Sequence, residues 1–370
     1  MIINHILTFF SIIHVLTIFI FFIGLFRKKN PESTDQPFIS VVIALKNEEE
    51  NLKDLINGLK NQDYPKDKYE ILLVDNASDD NTHQHIEEMV KDLPSFISLT
   101  TKDYQSDFRY KKEAMMMGIE NSKGEIILST DADCIVQSSW ISSIASQYNE
   151  NIEMVIGFSE VISDNSIFLN LQKLDFLQLM AAAKGSLNLG FKWAGSGQNI
   201  SFRKKAFYNC NGYENLKTLK GGDDTLFIQK FAKKNSGKII FSSNIGSYVK
   251  TKAIHDFPTF IRQRIRWASE ANYTRKFNPI VFFISLAAFV ANAGLLYYFI
   301  LSLVTGNYWT YFLGLGFLKY FVENMLAIKA SEEFSIKGVL SLFPVWFILY
   351  PTYAIFLGLM SFVGKNIKWK

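Results

Sequence analysis

Three pairs of residues in this sequence have the types and spacing needed for chemistry on a phosphorylated substrate. They are Asp131 with Asp133, Asp223 with Asp224, and Arg266 with Trp267. Carboxylates at a strand end can hold a divalent metal on a diphosphate, and a second acidic pair can accept a proton from an attacking hydroxyl. An arginine beside a tryptophan can bind a phosphate and a sugar together. In this order the pairs predict sugar-nucleotide chemistry, although none is specific alone.

Asp131 and Asp133 follow a largely apolar segment, residues 125–130, that predicts a β-strand. Side chains two residues apart in an extended chain point to the same side, so both carboxylates would face one crevice. Two hard oxygen ligands suit Mg2+ or Mn2+ bridging a diphosphate. The alternative is an ordinary turn, since aspartates are common in turns. The position directly after the strand favours the metal site.

Polar residues also follow the first two predicted strands. Asn47 and Glu48 come after residues 38–45, and Asp75 comes after residues 69–74. A nucleotide needs carboxylates that accept from ring N–H groups and ribose hydroxyls, and Asp75 with Glu48 could supply them at the carboxyl edge of a parallel sheet. Asn47 could instead cap the helix that follows it. For Asp75, the place at the strand end favours nucleotide binding.

Asp223 and Asp224 follow two glycines and precede a predicted helix at residues 226–232. An acceptor hydroxyl must lose its proton as it attacks, and a carboxylate on a loop facing the reacting carbon can take that proton. The glycines allow the backbone to approach a substrate closely. The same segment is also a good turn and helix N-cap, so one of the two aspartates is expected to be structural.

Gln263, Arg266 and Trp267 occupy positions i, i+3 and i+4 of a predicted helix at residues 257–271 and therefore share one face. Arg266 could form a bidentate pair with diphosphate oxygens, while Trp267 offers a flat surface to a sugar ring. The alternative is a basic amphipathic helix at a membrane surface, because arginines alternate with apolar residues along it. Both interpretations can hold at once.

Short Val- and Ile-rich segments alternate with helix-like segments, which predicts a mostly parallel sheet with crossover helices. The further strands are expected at residues 97–100, 154–159 and 238–241, and the helices at residues 49–59, 80–91 and 114–121. Functional loops should lie at the carboxyl ends of the strands. Residues 167–189 form a longer helical pattern that would bury against the core or an interface.

Four apolar segments are long enough to span a bilayer. They are residues 2–26, 279–304, 308–328 and 338–363. The first is predicted to be an uncleaved anchor and not a signal peptide, because the cationic cluster at residues 27–29 follows the apolar run. That cluster, Arg275 with Lys276, and a predicted loop at residues 329–337 would lie inside, which places the polar domain in the cytoplasm.

Two features qualify this membrane prediction. Three spans after the polar domain would place the C-terminus outside, as the first span does the N-terminus. Lysines within residues 365–370 favour the inside instead, so one C-terminal segment could be re-entrant or interfacial. Lys319 and Glu323 lie four residues apart inside an apolar segment. They could simply pair with each other, or they could mark a polar pathway.

Composition narrows the class of protein. The chain has 370 residues, 33 of them Phe, and a formal net charge of +4; its mean hydropathy is +0.08. This is too apolar for an ordinary soluble enzyme and too weakly basic for nucleic-acid binding. Cys134 and Cys210 lack metal-ligand spacing, and so do the five histidines. A reducing, cytoplasmic polar domain on a cell membrane fits best.

The chain resembles a family 2 glycosyltransferase of the GT-A fold, in the membrane-integrated branch with cellulose, chitin and poly-N-acetylglucosamine synthases and ceramide glucosyltransferases. The resemblance runs from about residue 38 to Trp267. It rests on Asn47-Glu48, Val74-Asp75-Asn76, Lys111-Lys112-Glu113-Ala114 ahead of Gly118, Asp131-Ala132-Asp133, residues 197–203, Gly222-Asp223-Asp224 and Gln263-x-x-Arg266-Trp267. Their joint occurrence in order makes it specific.

The resemblance implies inverting transfer from a nucleoside diphospho-sugar, most simply a UDP-sugar. Its donor-binding residues would be Asn47, Glu48, Asp75, Lys111, Asp131, Gln263 and Arg266; its metal ligands would be Asp133 and Asp131; its acceptor side would include Trp267 and Asp223. The family often has an aromatic residue where this chain has Lys46, and a Glu-Asp pair where it has Asp223-Asp224. Alignment by the following Thr225 places the catalytic base at Asp224.

The sequence therefore predicts an α/β GT-A domain at residues 38–256, preceded by an anchor at 1–27 and a linker at 28–37. An interfacial helix at 257–277 and a membrane domain at 278–370 would follow. The predicted function is transfer of a sugar to a glycan acceptor in cell-surface polysaccharide or oligosaccharide synthesis. Transfer of one sugar to a membrane lipid is the alternative, and a catalytically silent membrane scaffold that binds nucleotide or glycan is the alternative from another class.

Overall fold

The computed structural model describes residues 2–27 and 32–362. They form two compact units. The sheet unit contains residues 32–162 and 194–252, and the helical unit contains residues 2–27, 163–193 and 253–362. The cationic residues Lys28 and Lys29, part of the predicted linker, and the C-terminal lysines of 365–370 lie outside the described residues.

The sheet unit holds ten strands and six α-helices among its described residues. The strands are β1 Ile39–Leu45, β2 Tyr69–Asp75, β3 Phe96–Thr100, β4 Ile126–Ser129, β5 Cys134–Val136, β6 Ile152–Ile156, β7 Ser159–Ile162, β8 Ile200–Arg203, β9 Lys238–Phe241 and β10 Val249–Lys252. The helices are α2 Leu52–Lys60, α3 Thr82–Val90, α4 Lys111–Asn121, α5 Trp140–Ala145, α7 Lys204–Asn209 and α8 Thr225–Lys234. Short 3-10 turns occur at Glu214–Leu216 and Ile245–Ser247.

Seven strands form one twisted sheet in the order β3-β2-β1-β4-β8-β6-β9. β1 pairs in parallel with both β2 and β4, whereas β8 is antiparallel to β4 and β6. β1 and β2 are buried along their whole length, as expected for strands covered on both faces. The register places Leu45 beside Asp75, so the carboxyl ends of β1, β2 and β4 form one edge of the sheet. The predicted mostly parallel sheet with flanking helices is present.

The differences from the predicted elements lie in the second half of the sheet. The strand predicted at residues 154–159 is two strands, β6 and β7, separated at Gly157, where a Cβ atom would overlap the Asn199 side chain. β5, β8 and β10 were not predicted, because strands of three or four residues carry too short an apolar pattern. Three of these elements, β5, β10 and β7, form a separate small sheet.

The helical unit consists of α1 Ile2–Gly24, α6 Ile167–Asn188, α9 Phe257–Ser269, α10 Ala271–Phe277, α11 Pro279–Thr305, α12 Trp309–Glu333 and α13 Phe343–Met360, with a 3-10 turn at Leu340–Leu342 before α13. Four helical segments among the described residues are long and apolar enough to cross a membrane. They are Ile2–Gly24, Pro279–Thr305, Trp309–Glu333 and Leu340–Met360. The predicted long apolar helices near both ends of the chain are therefore present, and Val363 of the last one lies outside the described residues.

Two boundaries differ from the predicted organisation. Residues 163–193, within the range predicted for the catalytic domain, belong to the helical unit because α6 packs against α1 and α12. Gly24 and Gly185 permit the close approach of α1 and α6, since a Cβ on either would overlap the backbone of the other helix. The predicted loop at 329–337 is wrong in its first half, because α12 continues to Glu333.

Charged side chains inside the helical unit are paired. The Lys319 ammonium lies 2.8 Å from Oε2 of Glu323, which confirms the predicted pair. Nε2 of His14 on α1 lies 2.9 Å from the other carboxylate oxygen of Glu323. Lys319 also lies over the ring of Phe347, 4.7 Å from its centroid. The pair thus joins α1, α12 and α13, and burial among apolar helices makes such pairing necessary.

Candidate active site

The Asp-Ala-Asp sequence forms the turn between β4 and β5. The carbonyl of Asp131 accepts from the backbone N–H of Cys134 at 3.1 Å, and Oγ1 of Thr130 donates to the carbonyl of Gln198 at 2.7 Å. These bonds fix the turn at the carboxyl edge of the sheet. Asp131 and Asp133 are half-buried there, while Ala132 between them is buried. The alternating pattern of an extended strand therefore does not continue through this segment, which is the turn that the sequence offered as the alternative, and its place after β4 is as predicted.

Lys111, the first residue of α4, joins this turn to the second acidic pair. Its ammonium lies 2.5 Å from Oδ1 of Asp131 and 3.2 Å from Oδ2 of Asp223. The lysine side chain is only 14% exposed. Burial works to lower the pKa of Lys111, but the two carboxylates outweigh it and raise the pKa well above its ordinary value. Lys111 is therefore a fixed positive charge between the two acidic groups.

Asp223 and Asp224 have different surroundings. Burial works to raise the pKa of Asp223, but Lys111 and Lys112 more than offset it and hold that pKa well below its usual range. Asp224 is the N-cap of α8, and its Oδ1 accepts from the backbone N–H of Thr225 at 2.5 Å. The expected N-cap is therefore Asp224, the residue that the family alignment also places as the base. Asp223 remains ionised as the partner of Lys111.

Gly197 lies against both aspartates. A Cβ atom at this position would come within 3.3 Å of Cβ of Asp224 and 3.6 Å of Nζ of Lys111. Any larger residue would push into the space that these three side chains border. Gly197 stands in the segment 197–203 that carried part of the family resemblance, but its role is visible only once the chain is folded.

Hydrogen bonds of the residues predicted to bind nucleotide order the loops after β1 and β2. Asn47, at a φ of +54°, accepts from the N–H of Asp79 at 2.8 Å. The N–H of Glu48 donates to Oγ1 of Thr82 at 2.8 Å. Asp75 is buried and accepts from the N–H of Ser78 at 3.2 Å. All three residues therefore shape this edge of the sheet, and Asn47 bridges two loops instead of capping α2.

Asp131 and Asp133 suit a divalent metal by their chemistry, because carboxylate oxygens are the ligands that Mg2+ and Mn2+ prefer. The described residues contain no group of three or more His, Cys, Asp or Glu side chains placed to hold a metal. The two aspartates therefore fit a metal that takes its other ligands from a diphosphate and from water, as Mg2+ commonly does in phosphate sites.

The helical unit carries the remaining predicted site residues on α9. Gln263, Arg266 and Trp267 are each partly exposed. The buried arginine of this helix is Arg264, which the sequence did not single out. Its guanidinium lies 3.0 Å from Oδ2 of Asp175 on α6 and 4.3 Å from the centroid of the Trp267 ring. Arg264 therefore holds the position of Trp267 by stacking.

Arg264 and Asp175 form a buried charge pair in which, among the described residues, two guanidinium nitrogens are left without a hydrogen bond. Within residues 2–27 and 32–362, Nε and Nη1 of Arg264 have no hydrogen-bond acceptor. Burial raises the pKa of Asp175, and the arginine charge opposes that rise. Removing one partner would leave the other charge buried alone, which is strongly unfavourable.

We therefore expect Asp175→Asn to destabilise the protein by about 3 kcal/mol, the usual cost of breaking a buried pair. Thermal unfolding in detergent measures the loss. Asp256→Asn is the matched control, because Asp256 is the exposed N-cap of α9 and asparagine caps helices equally well. Equal melting temperatures for the two variants would show that Arg264 does not depend on Asp175.

The sequence model of one protein family, described as Glycosyl transferase family 21, matches residues 7–370. The chain belongs to this family. Membership in a family 2-like glycosyltransferase family confirms the predicted enzyme class.

Similar curated proteins match this family 21 chain over part of their length. Glycosyltransferase AglE of Haloferax volcanii is 35% identical over 105 residues, 28% of this chain and 33% of that protein. Beta-monoglucosyldiacylglycerol synthase of Trichormus variabilis is 24% identical over 250 residues, 65% of this chain and 50% of that protein. Poly-beta-1,6-N-acetyl-D-glucosamine synthase of Staphylococcus epidermidis is 26% identical over 154 residues, 41% of this chain and 35% of that protein. The matches span from a third to half of these relatives.

One solved structure resembles the chain over nearly its whole length. It is mannosyltransferase PcManGT from Pyrobaculum calidifontis, in complex with GDP-Man and Mn2+, with a TM-score of 0.59, 15% identity and coverage of 98% of both chains. At this level of identity the likeness establishes the fold. The predicted GT-A-type sheet accompanied by apolar helices near both termini is thereby confirmed.

Proposed function

We propose that this family 21 protein is a membrane-bound, inverting glycosyltransferase that moves a sugar from a nucleoside diphospho-sugar to a hydroxyl of a lipid-borne acceptor. The observation that carries the proposal is the placement of Lys111 between Asp131 and Asp223. It joins the metal-ligand pair and the acidic pair in one polar site at the carboxyl edge of the sheet, where open α/β sheets bind ligands. A UDP-sugar is the first donor to test, and a GDP-sugar the second.

In this mechanism the acceptor oxygen attacks the anomeric carbon from the face opposite the diphosphate. The bond from that carbon to the diphosphate oxygen breaks as the new glycosidic bond forms, and the nucleoside diphosphate leaves. Asp224 takes the acceptor proton, as the alignment by Thr225 implies, whereas Asp223 is held in its ion pair with Lys111. Lys111 keeps Asp223 ionised and supplies positive charge beside Asp131.

A divalent metal, Mg2+ or Mn2+, would be held by Asp133 and Asp131 and would neutralise charge on the leaving diphosphate. The likeness to a mannosyltransferase solved with Mn2+ supports the use of a divalent metal. Asn47, Glu48 and Asp75 would position the nucleotide through the loops that they already shape.

The helix motif keeps the roles implied by its resemblance. Gln263 and Arg266 would bind the donor diphosphate, and Trp267 would offer its ring to the acceptor. Stacking of the Arg264 guanidinium on Trp267 supports a fixed orientation of that ring.

Two observations favour an acceptor carried by a lipid. Trp267 belongs to the same unit as the four helices that are apolar enough to cross a membrane. The match to the Trichormus variabilis synthase, whose name describes a glucosylated diacylglycerol, covers 65% of the chain. A polysaccharide acceptor is the second candidate and is favoured by the match to the poly-N-acetylglucosamine synthase. We place the sheet unit on the cytoplasmic side of the cell membrane, where nucleotide sugars are made.

The test is release of nucleoside diphosphate by detergent-purified protein from a panel of UDP- and GDP-sugars, each with Mg2+, with Mn2+ or with a chelator. Native lipid and oligosaccharide are offered as acceptors, and the size of the labelled product separates glycolipid from polymer. Release that requires metal and one donor supports the proposal. Nucleotide binding without release from any donor, in native membranes as well, would instead indicate a silent scaffold.

A further inference from the structure

A second lysine of α4 is buried beside the candidate active site. Lys112 has no exposed surface, and its ammonium donates to the carbonyl of Leu219 at 2.6 Å and to that of Gly221 at 3.0 Å. An ammonium group that is buried without hydrogen bonds costs much free energy. Its two charge-assisted hydrogen bonds to the carbonyls are therefore strongly favoured. Two neighbouring lysines in a sequence usually indicate a solvated helix face, and here both are turned inward.

The carbonyls held by Lys112 belong to the segment that carries the two aspartates, residues 217–224, which we call the acidic loop. The N–H of Arg109 donates to the carbonyl of Lys217 at 2.9 Å, at the start of the loop. Lys111 pairs with Asp223 near its end. Arg109, just before α4, and the first two residues of α4 therefore contact the acidic loop at its beginning, middle and end.

Gly222 links the carbonyls that Lys112 holds to the two aspartates that follow in the loop. Its φ of +82° is a conformation that residues with a side chain rarely adopt. A Cβ there would also come within 2.8 Å of Cδ1 of Leu226 in α8. Because the chain turns sharply at Gly222, a shift of the Gly221 carbonyl would move Asp223 and Asp224 directly.

We propose that Lys112 is a positioning residue for catalysis: by holding the Leu219 and Gly221 carbonyls, it sets where the acidic loop presents Asp223 and Asp224. This inference rests on the proposed function, in which Asp224 accepts the proton. Lys112 is not placed on the substrate; it acts through the loop that it holds and through its charge near Asp223.

The chain contains a matched control for this lysine. Lys230 in α8 is also buried, and its ammonium donates to the carbonyls of Gly212 at 2.7 Å and Asn211 at 3.0 Å. Lys112→Met and Lys230→Met therefore remove the same group with the same number of carbonyl partners. The difference is that Lys112 holds the acidic loop, whereas Lys230 holds residues 211 and 212.

The first readout is kinetic. With the donor identified in the panel, Lys112→Met should lower kcat by about 10- to 100-fold, since a misplacement of about 1 Å can cost on the order of 10²-fold. The donor dissociation constant should change much less than kcat, because Lys111 and Asp131 stay in the variant. Lys230→Met should lose comparable thermal stability while keeping its kcat. Equal losses of kcat in the two variants, or an unchanged kcat in Lys112→Met, would overturn the proposal.

The second readout is amide hydrogen exchange of peptides covering residues 217–224, which needs no activity. Faster exchange of this loop in Lys112→Met but not in Lys230→Met is expected, and equal protection in both would contradict the proposal even if no donor is ever found. If Lys112→Met does not purify as folded protein, Lys112→Gln replaces it. Its amide can keep one of the two hydrogen bonds, so an intermediate loss of kcat is expected, and full activity would again overturn the assignment.

Discussion

Replacing Asp224 by asparagine should lower the rate of sugar transfer by about 10²- to 10⁴-fold, the range typical of losing a general base. The substitution removes the carboxylate that would accept the proton and keeps a side chain of the same shape. Asp224 is the N-cap of α8, and asparagine is as good an N-cap as aspartate. Thermal stability and donor binding should therefore stay close to those of the original protein, so the loss of rate reports on catalysis alone.

Asp223→Asn is the companion variant. It removes the negative charge that pairs with Lys111, so it should lower stability and weaken donor binding together. Comparing kcat, the donor dissociation constant and the melting temperature of the two variants separates the roles of the aspartates. If Asp224→Asn turned over at the original rate and Asp223→Asn did not, Asp223 would be the base and Asp224 only a helix cap.

The sheet edge of this site could be predicted because its signals are local. Asp75 and Asp131 each follow a buried apolar run, and such runs place the next polar side chain at a strand end. The antiparallel strand β8 was missed because four residues give no reliable pattern.

The side-chain contacts could not be predicted because they join residues far apart in the chain. Lys111 reaches Asp223, and Arg264 reaches Asp175, only after the sheet and the helices have packed. The periodic pattern of α6 indicated a buried helix but could not show which helices cover it. It packs on α1 and α12, so a segment expected near the catalytic core belongs to the helical unit.

Replacing Lys111 by methionine should destabilise the protein by about 3 kcal/mol at neutral pH, as expected when a mostly buried charge loses its partner. The Asp223 side chain is only 17% exposed and would then lie near Asp131 without the ammonium between them. Lys252→Met is the control, because Lys252 and Asp54 form an ion pair that is about half exposed. Such a surface pair contributes at most about 1 kcal/mol.

The pH dependence of this variant identifies the cause of its instability. In the original protein the pKa of Asp223 is held below its unfolded value, so the stabilisation from its ionised form is fully present above about pH 4 and is lost as the pH falls through the folded pKa. Without Lys111, the burial of Asp223 is opposed mainly by Lys112, so that pKa rises, and the penalty of the buried carboxylate falls once it is protonated. The difference in melting temperature between Lys111→Met and the original protein should therefore shrink as the pH is lowered from 7 toward 4. A difference that stays constant over this range would mean that lost packing, and not an unpaired carboxylate, destabilises the variant.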